Sequence, residues 1–182
     1  IKDVSSTLIA KELDLDPTQV RKDIEYTAIT GRPKTGYDLI QLMDSIRIFL
    51  NWAKTHSAIL IGTGNLGKAM LGYQGFKNYG LNFIASFDNN PAIIGTSINN
   101  IKVHDVNDLS AYLEKNHPEI AVIAVPTAQA QDIADILIKA EIKAIWNFAP
   151  TQIQVPENVI VENSQLSQSL AVLTRKITEA GK

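Results

Sequence analysis

Residues 57–70 read SAILIGTGNLGKAM, an apolar run followed by three glycines and the start of an amphipathic segment. Gly62, Gly64 and Gly67 form a GxGxxG pattern directly after a candidate strand. In this pattern the first glycine permits a tight turn, the second lets backbone approach a pyrophosphate, and the third lets a helix pack closely on the strand. The start of that helix offers free N–H groups and a positive dipole end to phosphate. The stretch therefore predicts the first turn of a dinucleotide-binding fold.

An acidic residue at the end of the next strand is the second sign of such a fold. Asp88 lies 21 residues after Gly67, where a carboxylate accepts hydrogen bonds from the adenosine ribose. No Arg or Lys follows within ten residues to receive a 2′-phosphate, so the sequence predicts NAD rather than NADP. The alternative is a strand-end turn formed by Asp88 with Asn89, Asn90 and Pro91. Both roles can coexist.

The chain beyond residue 57 alternates apolar, β-rich runs with helical stretches, which predicts an α/β domain with a parallel sheet. Runs such as AVIAV at 121–125 are apolar at every position, so both faces of the strand are apolar. We therefore expect a sheet that is covered on both faces. We assign residues 51–163 to this nucleotide-binding domain. Its predicted strands are 58–61, 82–88, 101–103, 120–125, 142–148 and 159–162.

A leucine stripe marks the last segment, residues 164–182. A helix over 164–179 places Leu166, Leu170, Leu173 and Ile177 on one face. Such a face needs a partner. It packs either on the sheet of its own subunit or against a second chain.

Residues 1–50 form a second domain, in which short amphipathic helices alternate with polar turns. A first helix is expected from Ser5 or Ser6 to Leu13, with Ile9 and Leu13 facing inward. A short turn follows, in which Leu15 is expected to fill the gap between two helices.

The second helix has the features of a DNA-recognition helix. Asp16 is its expected N-cap, Pro17 fits the first helical position, and Gln19 completes a capping box. At 100° per residue, the apolar inner face contains Val20, Ile24 and Thr27, and the opposite face contains Thr18, Arg21, Lys22 and Glu25. An apolar inner face with a basic and hydroxylic outer face is what a helix-turn-helix requires.

A short basic hairpin follows the second helix. The run GRPKTGY at 31–37 holds Arg32 and Lys34 between glycines, as expected for a wing that lies against phosphates. The expected DNA contacts of the domain are Ser6, Thr18, Gln19, Arg21, Lys22, Arg32 and Lys34. A connecting helix within 36–52 then carries Leu39, Leu42, Met43, Ile46 and Leu50 at helical spacing.

Composition excludes several classes of protein. With 17 basic and 19 acidic residues the net charge is −2, so any nucleic-acid surface must be local. The absence of cysteine excludes disulfides, thiolate nucleophiles and Cys-type zinc sites, and the three histidines show no metal-ligand spacing. No apolar run approaches the ~20 residues that span a bilayer, and we expect a cytoplasmic protein.

The sequence shows no residues in the arrangement that a dehydrogenase needs. A dehydrogenase requires a general acid or base beside the nicotinamide and a pocket for its substrate, and this chain has no room for a substrate domain. We therefore predict a protein that is not an enzyme. Two alternatives stay open: a small NAD-dependent oxidoreductase, and a nucleotide- or CoA-binding regulatory module that acts through protein partners.

Taken together, these segments resemble the Rex family of redox-sensing transcriptional repressors, winged-helix proteins fused to an NAD(H)-binding Rossmann domain. The resemblance rests on VSS, QVRKDIEY and GY, then GTGNLGKAM, YQGF, FDNNP, AVPTAQAQDIADIL and IKAIWNFAP, in that order. It implies a homodimer that binds double-stranded operator DNA and is released when NADH, rather than NAD+, occupies the Rossmann site. It also implies a C-terminal helix, 164–182, that is exchanged between subunits.

The resemblance also assigns the cofactor contacts. Gly62, Gly64, Asn65, Leu66 and Gly67 would hold the pyrophosphate, and Asp88 with Asn89 the adenosine ribose. The middle of the dinucleotide would lie on Val125, Pro126 and Thr127, and the nicotinamide end on Tyr73, Asn147, Phe148, Ala149 and Pro150. Tyr73 and Phe148 are otherwise read as core or interface packing. No metal is implied.

Three features depart from the family pattern. The recognition helix continues into TAITGRPKTGY instead of an aromatic residue and glycines, and Gln165 and Ser169 stand where the family has acidic residues. The family's first helix is not found before Ile1, so we expect a winged-helix domain that is partly truncated.

Overall fold

The computed structural model describes residues 2–180. The chain divides into two compact units, one of Ile1–Thr55 with Asn78–Gly80 and one of His56–Lys77 with Leu81–Lys182.

The first unit has the winged-helix arrangement that the sequence predicts. Its elements are β1 (Asp3–Val4), α1 (Ser6–Leu13), α2 (Pro17–Glu25), β2 (Tyr37–Asp38) and α3 (Leu39–Phe49). The short strands β1 and β2 pair antiparallel. A small core of Val4, Ala10, Val20, Ile24 and Leu42 holds the three helices together.

Each of these three helices begins at a side-chain cap. The Ser5 hydroxyl accepts from the N–H of Leu8 at 3.1 Å, and Asp38 caps α3 in the same way. Asp16 accepts from the N–H groups of Thr18 and Gln19 at 2.8 and 2.9 Å. The predicted capping box is only half formed, because the Gln19 amide donates forward to Asp23 at 2.7 Å instead of back to residue 16.

Two leucines expected to be buried lie at the surface. Leu13 is 62% exposed and Leu15 is 52% exposed. The cause is the short turn, in which Asp14 takes a left-handed conformation with φ 53° directly after Leu13. Leu13, Leu15 and Leu50 line an open apolar groove of about 280 Å³ instead of closing a core. The inner face of α3 is accordingly narrower than predicted, since Met43 is also exposed.

The second unit is built on a seven-stranded sheet. Its elements are β3 (His56–Ile61), α4 (Asn65–Gly72), β4 (Leu81–Asp88), β5 (Ser97–Ile98), β6 (Ile101–Asp105), α5 (Leu109–Lys115), β7 (Ile120–Ile123), α6 (Thr127–Lys139), β8 (Ala144–Asn147), β9 (Ile160–Asn163) and α7 (Leu166–Ala180), with 3₁₀ turns at Gln74–Tyr79 and Val106–Asp108. All six predicted strands are present, with ends that differ by up to two residues.

The order across the sheet is β5-β6-β4-β3-β7-β8-β9. All neighbouring strands run parallel except the short edge pair β5 and β6, which is antiparallel and was not predicted. Numbered along the chain, the six parallel strands have the order 3-2-1-4-5-6 of a dinucleotide-binding sheet. The predicted α/β class is therefore confirmed.

Both faces of the sheet are covered, as its apolar strands predicted. Ile59 and Ile61 of β3 face one core, which includes Ile133 and Leu137 of α6. Leu60, on the other face, packs in a second core with Met70 and Leu71 of α4. Alternate side chains of one strand thus hold α4 and α6 on opposite sides of the sheet.

The C-terminal helix α7 has the predicted apolar stripe, but the three stripe residues whose side chains the structure describes are not covered; the side chain of Leu166 lies outside the described part. Leu170, Leu173 and Ile177 are 59%, 57% and 65% exposed. The reading in which this face packs on its own sheet is therefore wrong. Packing against a second chain stays a prediction. Within residues 2–180, no helix is long and apolar enough to cross a membrane.

Candidate functional site

A crevice beside the sheet lies where the strand order reverses, between β3 and β7. The loops after β3, β4 and β7 meet there around a cavity of about 260 Å³. Ligands of open α/β sheets bind at this position, outside the carboxyl ends of the strands. The cavity brings together six of the predicted cofactor residues: Gly62, Gly64, Asp88, Asn89, Val125 and Pro126.

Two of the three glycines are required by the fold itself. Gly62 has φ +96°, and a Cβ there would meet the carbonyl of Ala124. A Cβ on Gly67 would meet the carbonyl oxygen of Gly62, so the start of α4 lies against the turn backbone.

Gly64 has a different role from its neighbours. Its φ is −65°, which any residue adopts, and a Cβ there would have no heavy atom within 4 Å. The fold does not need a glycine at this position. A ligand that lies against the backbone requires a residue without a Cβ at this position, and Gly64 lines the cavity.

Two helices begin at the edge of this cavity without a side-chain cap. The N-cap of α4 is Gly64 and that of α6 is Pro126, and neither provides a capping hydrogen bond. Uncapped N-terminal N–H groups and the positive ends of two helix dipoles favour a negatively charged ligand. Asn65, Leu66 and Thr127 lie in the first turns of these helices.

Asp88 ends β4 and is held by three hydrogen bonds from the protein. Its Oδ2 accepts from the N–H and the hydroxyl of Thr63 at 2.6 and 2.7 Å, and its Oδ1 accepts from the N–H of Asn90 at 2.9 Å. Burial acts to raise the pKa of Asp88, but the hydrogen bonds from Thr63, Asn90 and Asn89 outweigh it, so the pKa lies below its ordinary value of 3.8. The carboxylate is therefore ionised at neutral pH. The predicted strand-end turn is present, and Asp88 also faces the cavity.

The rest of the cavity wall is mostly apolar, and its residues were not identified from the sequence. Its further lining residues are Ile61, Phe87, Val106, Ala124, Gln129 and Ile133. The ring of Phe87 stacks on His104 with centroids 5.4 Å apart. Burial, followed by the charge of Lys102, lowers the pKa of His104, so its imidazole is neutral at pH 7. Strand and helix periodicity showed that all of these residues except Gln129 are apolar, but it did not show which of them face the crevice.

The residues assigned to the nicotinamide end do not line this cavity. Tyr73 is 54% exposed and packs edge-on against Phe76, with centroids 4.9 Å apart. Phe148 packs on Trp146 at 4.8 Å. Asn147 and Ala149 are buried, and Pro150 is exposed. Asn147 is the last residue of β8, which lies two strands away from β3, and residues 148–150 follow it directly, whereas Tyr73 caps the end of α4.

The first unit carries a polar surface on α2. Thr18, Gln19, Arg21 and Lys22 are exposed there, whereas Val20 and Ile24 are buried, as predicted. Ser6 is only 8% exposed, which leaves little of it for a phosphate contact.

The wing is a tight turn closed by two backbone hydrogen bonds. The N–H of Arg32 donates to the carbonyl of Gly36 at 2.6 Å, and the N–H of Gly36 donates to the carbonyl of Arg32 at 3.0 Å. Lys34 is exposed at the tip with φ 65°. The Arg32 guanidinium lies 3.9 Å from Asp3. Among the described residues, no cluster of His, Asp or Glu has the arrangement of a metal site.

A helix-turn-helix with an exposed basic face, in one chain with a dinucleotide crevice, defines the class of ligand-responsive DNA-binding regulators. The family model for CoA-binding domains matches residues 53–151. The redox-sensing transcriptional repressor Rex of Treponema denticola is 45% identical over 170 residues, which are 93% of this chain and 81% of that protein. The Rex repressor of Bacteroides thetaiotaomicron is 39% identical over 96% of this chain and 79% of its own length.

Solved structures agree with these relatives. The structure of RSP in complex with NAD+ and operator DNA has a TM-score of 0.92 and 34% identity, over 99% of this chain and 83% of RSP. That of RSP with NADH has a TM-score of 0.88 and the same identity, over 99% of this chain and 84% of RSP. The chain belongs to the Rex family of redox-sensing transcriptional repressors. This confirms the resemblance and the prediction of a repressor rather than an enzyme.

The different roles of the glycines are testable. We expect Gly64→Ala to change the free energy of unfolding by less than about 1 kcal/mol and to weaken NADH binding tenfold or more, because a Cβ would stand between backbone and ligand. Gly67→Ala, the matched control, should destabilise the unit by about 3 kcal/mol or more. Urea unfolding and calorimetry with NADH measure both effects. A Gly64→Ala protein that binds NADH as the parent does would contradict this role.

The Thr63 hydroxyl should hold down the pKa of Asp88. Because a carboxylate with a depressed pKa stabilises the fold above its ordinary pKa and loses that effect as pH falls through the folded pKa, Thr63→Val should cost about 1.5 to 3 kcal/mol at pH 7. The cost should shrink towards pH 3, and Thr63→Ser should behave as the parent. NMR titration of the Asp88 carboxyl and urea unfolding at both pH values test this. An Asp88 pKa that is unchanged in Thr63→Val refutes it.

Proposed function

We propose that this chain is an NADH-responsive repressor that binds operator DNA as a homodimer and leaves it when NADH occupies the crevice between β3 and β7. The observation that carries the proposal is the combination, in one chain, of an exposed basic recognition helix and a dinucleotide crevice. The RSP structures, one with NAD+ and operator DNA and one with NADH, support it. A protein that acts on the chromosome in this way works in the cytoplasm.

The cofactor follows from the chemistry of the crevice. Uncapped helix ends at Gly64 and Pro126 suit a pyrophosphate, and the ionised carboxylate of Asp88 suits ribose hydroxyls and repels a 2′-phosphate. We assign NADH and NAD+ as the ligands. The predicted contacts at 65–67, 73, 127 and 147–150 belong to the same proposal.

The DNA contacts follow from the first unit. Thr18, Gln19, Arg21 and Lys22 on α2 would enter a major groove, and Arg32 and Lys34 of the wing would contact the backbone. In a dimer the two recognition helices must reach successive grooves, about 34 to 36 Å apart. The exposed stripe of α7, with Leu170, Leu173 and Ile177, supplies an apolar face for the second subunit.

The test is a titration of the full chain on a duplex that the protein itself selects from a random pool. NADH should weaken operator binding about 5- to 150-fold, the range of a coupling of ~1 to 3 kcal/mol. NAD+ at the same concentration and salt should not, and free CoA serves as a second control nucleotide. Asp88→Ala should remove the response by lowering NADH affinity. Equal operator affinity with and without NADH contradicts the proposal.

The exposed face of α2 makes a separate prediction about salt. Arg21→Ala and Lys22→Ala should each reduce the slope of log affinity against log salt by roughly 0.9, because each loses one phosphate contact. Lys139→Ala, at the exposed end of α6, is the matched control and should leave the slope unchanged. Operator binding measured at four or more salt concentrations gives the slopes. If Arg21→Ala and Lys22→Ala keep the parental slope, α2 does not contact phosphate.

A further inference from the structure

The last residue of β8, Asn147, is wholly buried and uses every polar atom of its side chain. Its Oδ1 accepts from the N–H of Ala149 at 3.0 Å, and its Nδ2 donates to the carbonyl of Thr151 at 2.8 Å. The same Nδ2 also donates to Oδ1 of Asn163 at 2.8 Å. One amide therefore fixes the backbone of the loop 148–151 and joins that loop to the end of β9. The N–H of Ala149 sets the orientation of the amide, so Asn163 must present its oxygen.

A second pair of hydrogen bonds runs beside the first. The N–H of Ser164 donates to the carbonyl of Asn147 at 2.9 Å. Nε1 of Trp146 donates to the Ser164 hydroxyl at 2.8 Å. The indole also packs on Phe148 and Phe76, with centroids 4.8 and 5.8 Å away. Ser164 is thus held from both the backbone and a side chain of β8.

These bonds end where the C-terminal helix begins. Asn163 is the last residue of β9, and α7 starts at Leu166, only two residues after Ser164. Such a short connection leaves little freedom between Ser164 and the helix. The loop 148–151 and the start of α7 are therefore joined as one hydrogen-bonded assembly, although β8 and β9 are only four residues long.

We propose that Asn163 and Ser164 are positioning residues, through which a displacement of the loop 148–151 changes the direction of α7. The inference rests on the proposed function, which places the nicotinamide end of the cofactor at this loop and the second subunit on α7. A ligand that moves the backbone at 149–151 must carry Asn147 with it, because the amide holds both ends of the loop. Asn147 then moves Asn163, and Trp146 moves Ser164.

The test separates ligand binding from the response to it. The variants are Ser164→Ala, Trp146→Phe and Asn163→Leu, each of which removes one hydrogen bond of the assembly. In the full chain we measure NADH affinity by calorimetry, the oligomeric state, and operator affinity with and without NADH. We expect NADH affinity in the absence of DNA and operator affinity in the absence of NADH to stay within about threefold of the parent. The ratio of operator affinities without and with NADH should fall at least fivefold.

Conservative variants distinguish positioning from packing. Ser164→Thr keeps the hydroxyl and Asn163→Asp keeps the acceptor oxygen, so both should keep the parental ratio. Ser110→Ala, an exposed serine on α5, is the matched control. Because Trp146→Phe and Ser164→Ala break the same bond, the double variant should lose no more of the ratio than either single variant.

Three results overturn the inference. The first is a parental ratio in Ser164→Ala and Asn163→Leu. The second is a variant in which NADH affinity falls by the same factor as the ratio of operator affinities without and with NADH, which would indicate a structural role only. The third is a fall in that ratio in Ser164→Thr that is as large as the fall in Ser164→Ala. If NADH does not change the operator affinity of the parent protein, both the proposed function and this inference are overturned. If NADH changes the operator affinity of the parent and of the variants equally, only the inference is overturned.

Discussion

A contact between two stretches of backbone, the first turn of α4 and the carbonyl of Gly62, is the constraint on which the nucleotide-binding unit depends. Because Gly67 has no Cβ, α4 begins directly beside the end of β3. The same approach packs Met70 and Leu71 against Leu60 of the sheet and points the free N–H groups of the helix at the crevice. Core packing and affinity for phosphate therefore have one origin.

The reversal of strand order gives the crevice its second helix. The helices α4 and α6 leave β3 and β7 on opposite faces of the sheet, so their uncapped N-termini border one cavity. Asp88 is the one charged residue in the described lining of that cavity. Its carboxylate is engaged by Thr63 and Asn90, and the site contains no second titratable group beside it among the described lining residues. One ionised carboxylate beside two uncapped helix ends suits a ligand that carries both ribose hydroxyls and phosphate.

The sequence was most informative where one residue type has one physical use. The glycines of the turn, the acidic end of β4 and the N-cap of α2 were located correctly because backbone geometry dictates them. The hydroxyl of Thr63 was not foreseen, since nothing in GTG says that its side chain reaches Asp88. The sequence also did not show that the cavity is lined by Val106, Gln129 and Ile133, because this depends on how the loops pack around the crevice. The exposure of Leu13 and of the α7 stripe depends on what the rest of the chain provides to cover them, which periodicity does not show.

The three donors on Asp88 affect how a sugar can bind. A carboxylate has about four acceptor positions, and Thr63 and Asn90 already occupy three of them. A ribose with two neighbouring hydroxyls therefore gains one bond freely and obtains a second only when the threonine side chain turns away. Binding of the second ribose hydroxyl thus replaces the hydrogen bond from the Thr63 hydroxyl to Asp88, which limits the net gain in free energy. The adenosine ribose therefore contributes less to affinity than it would at a carboxylate with no internal donors.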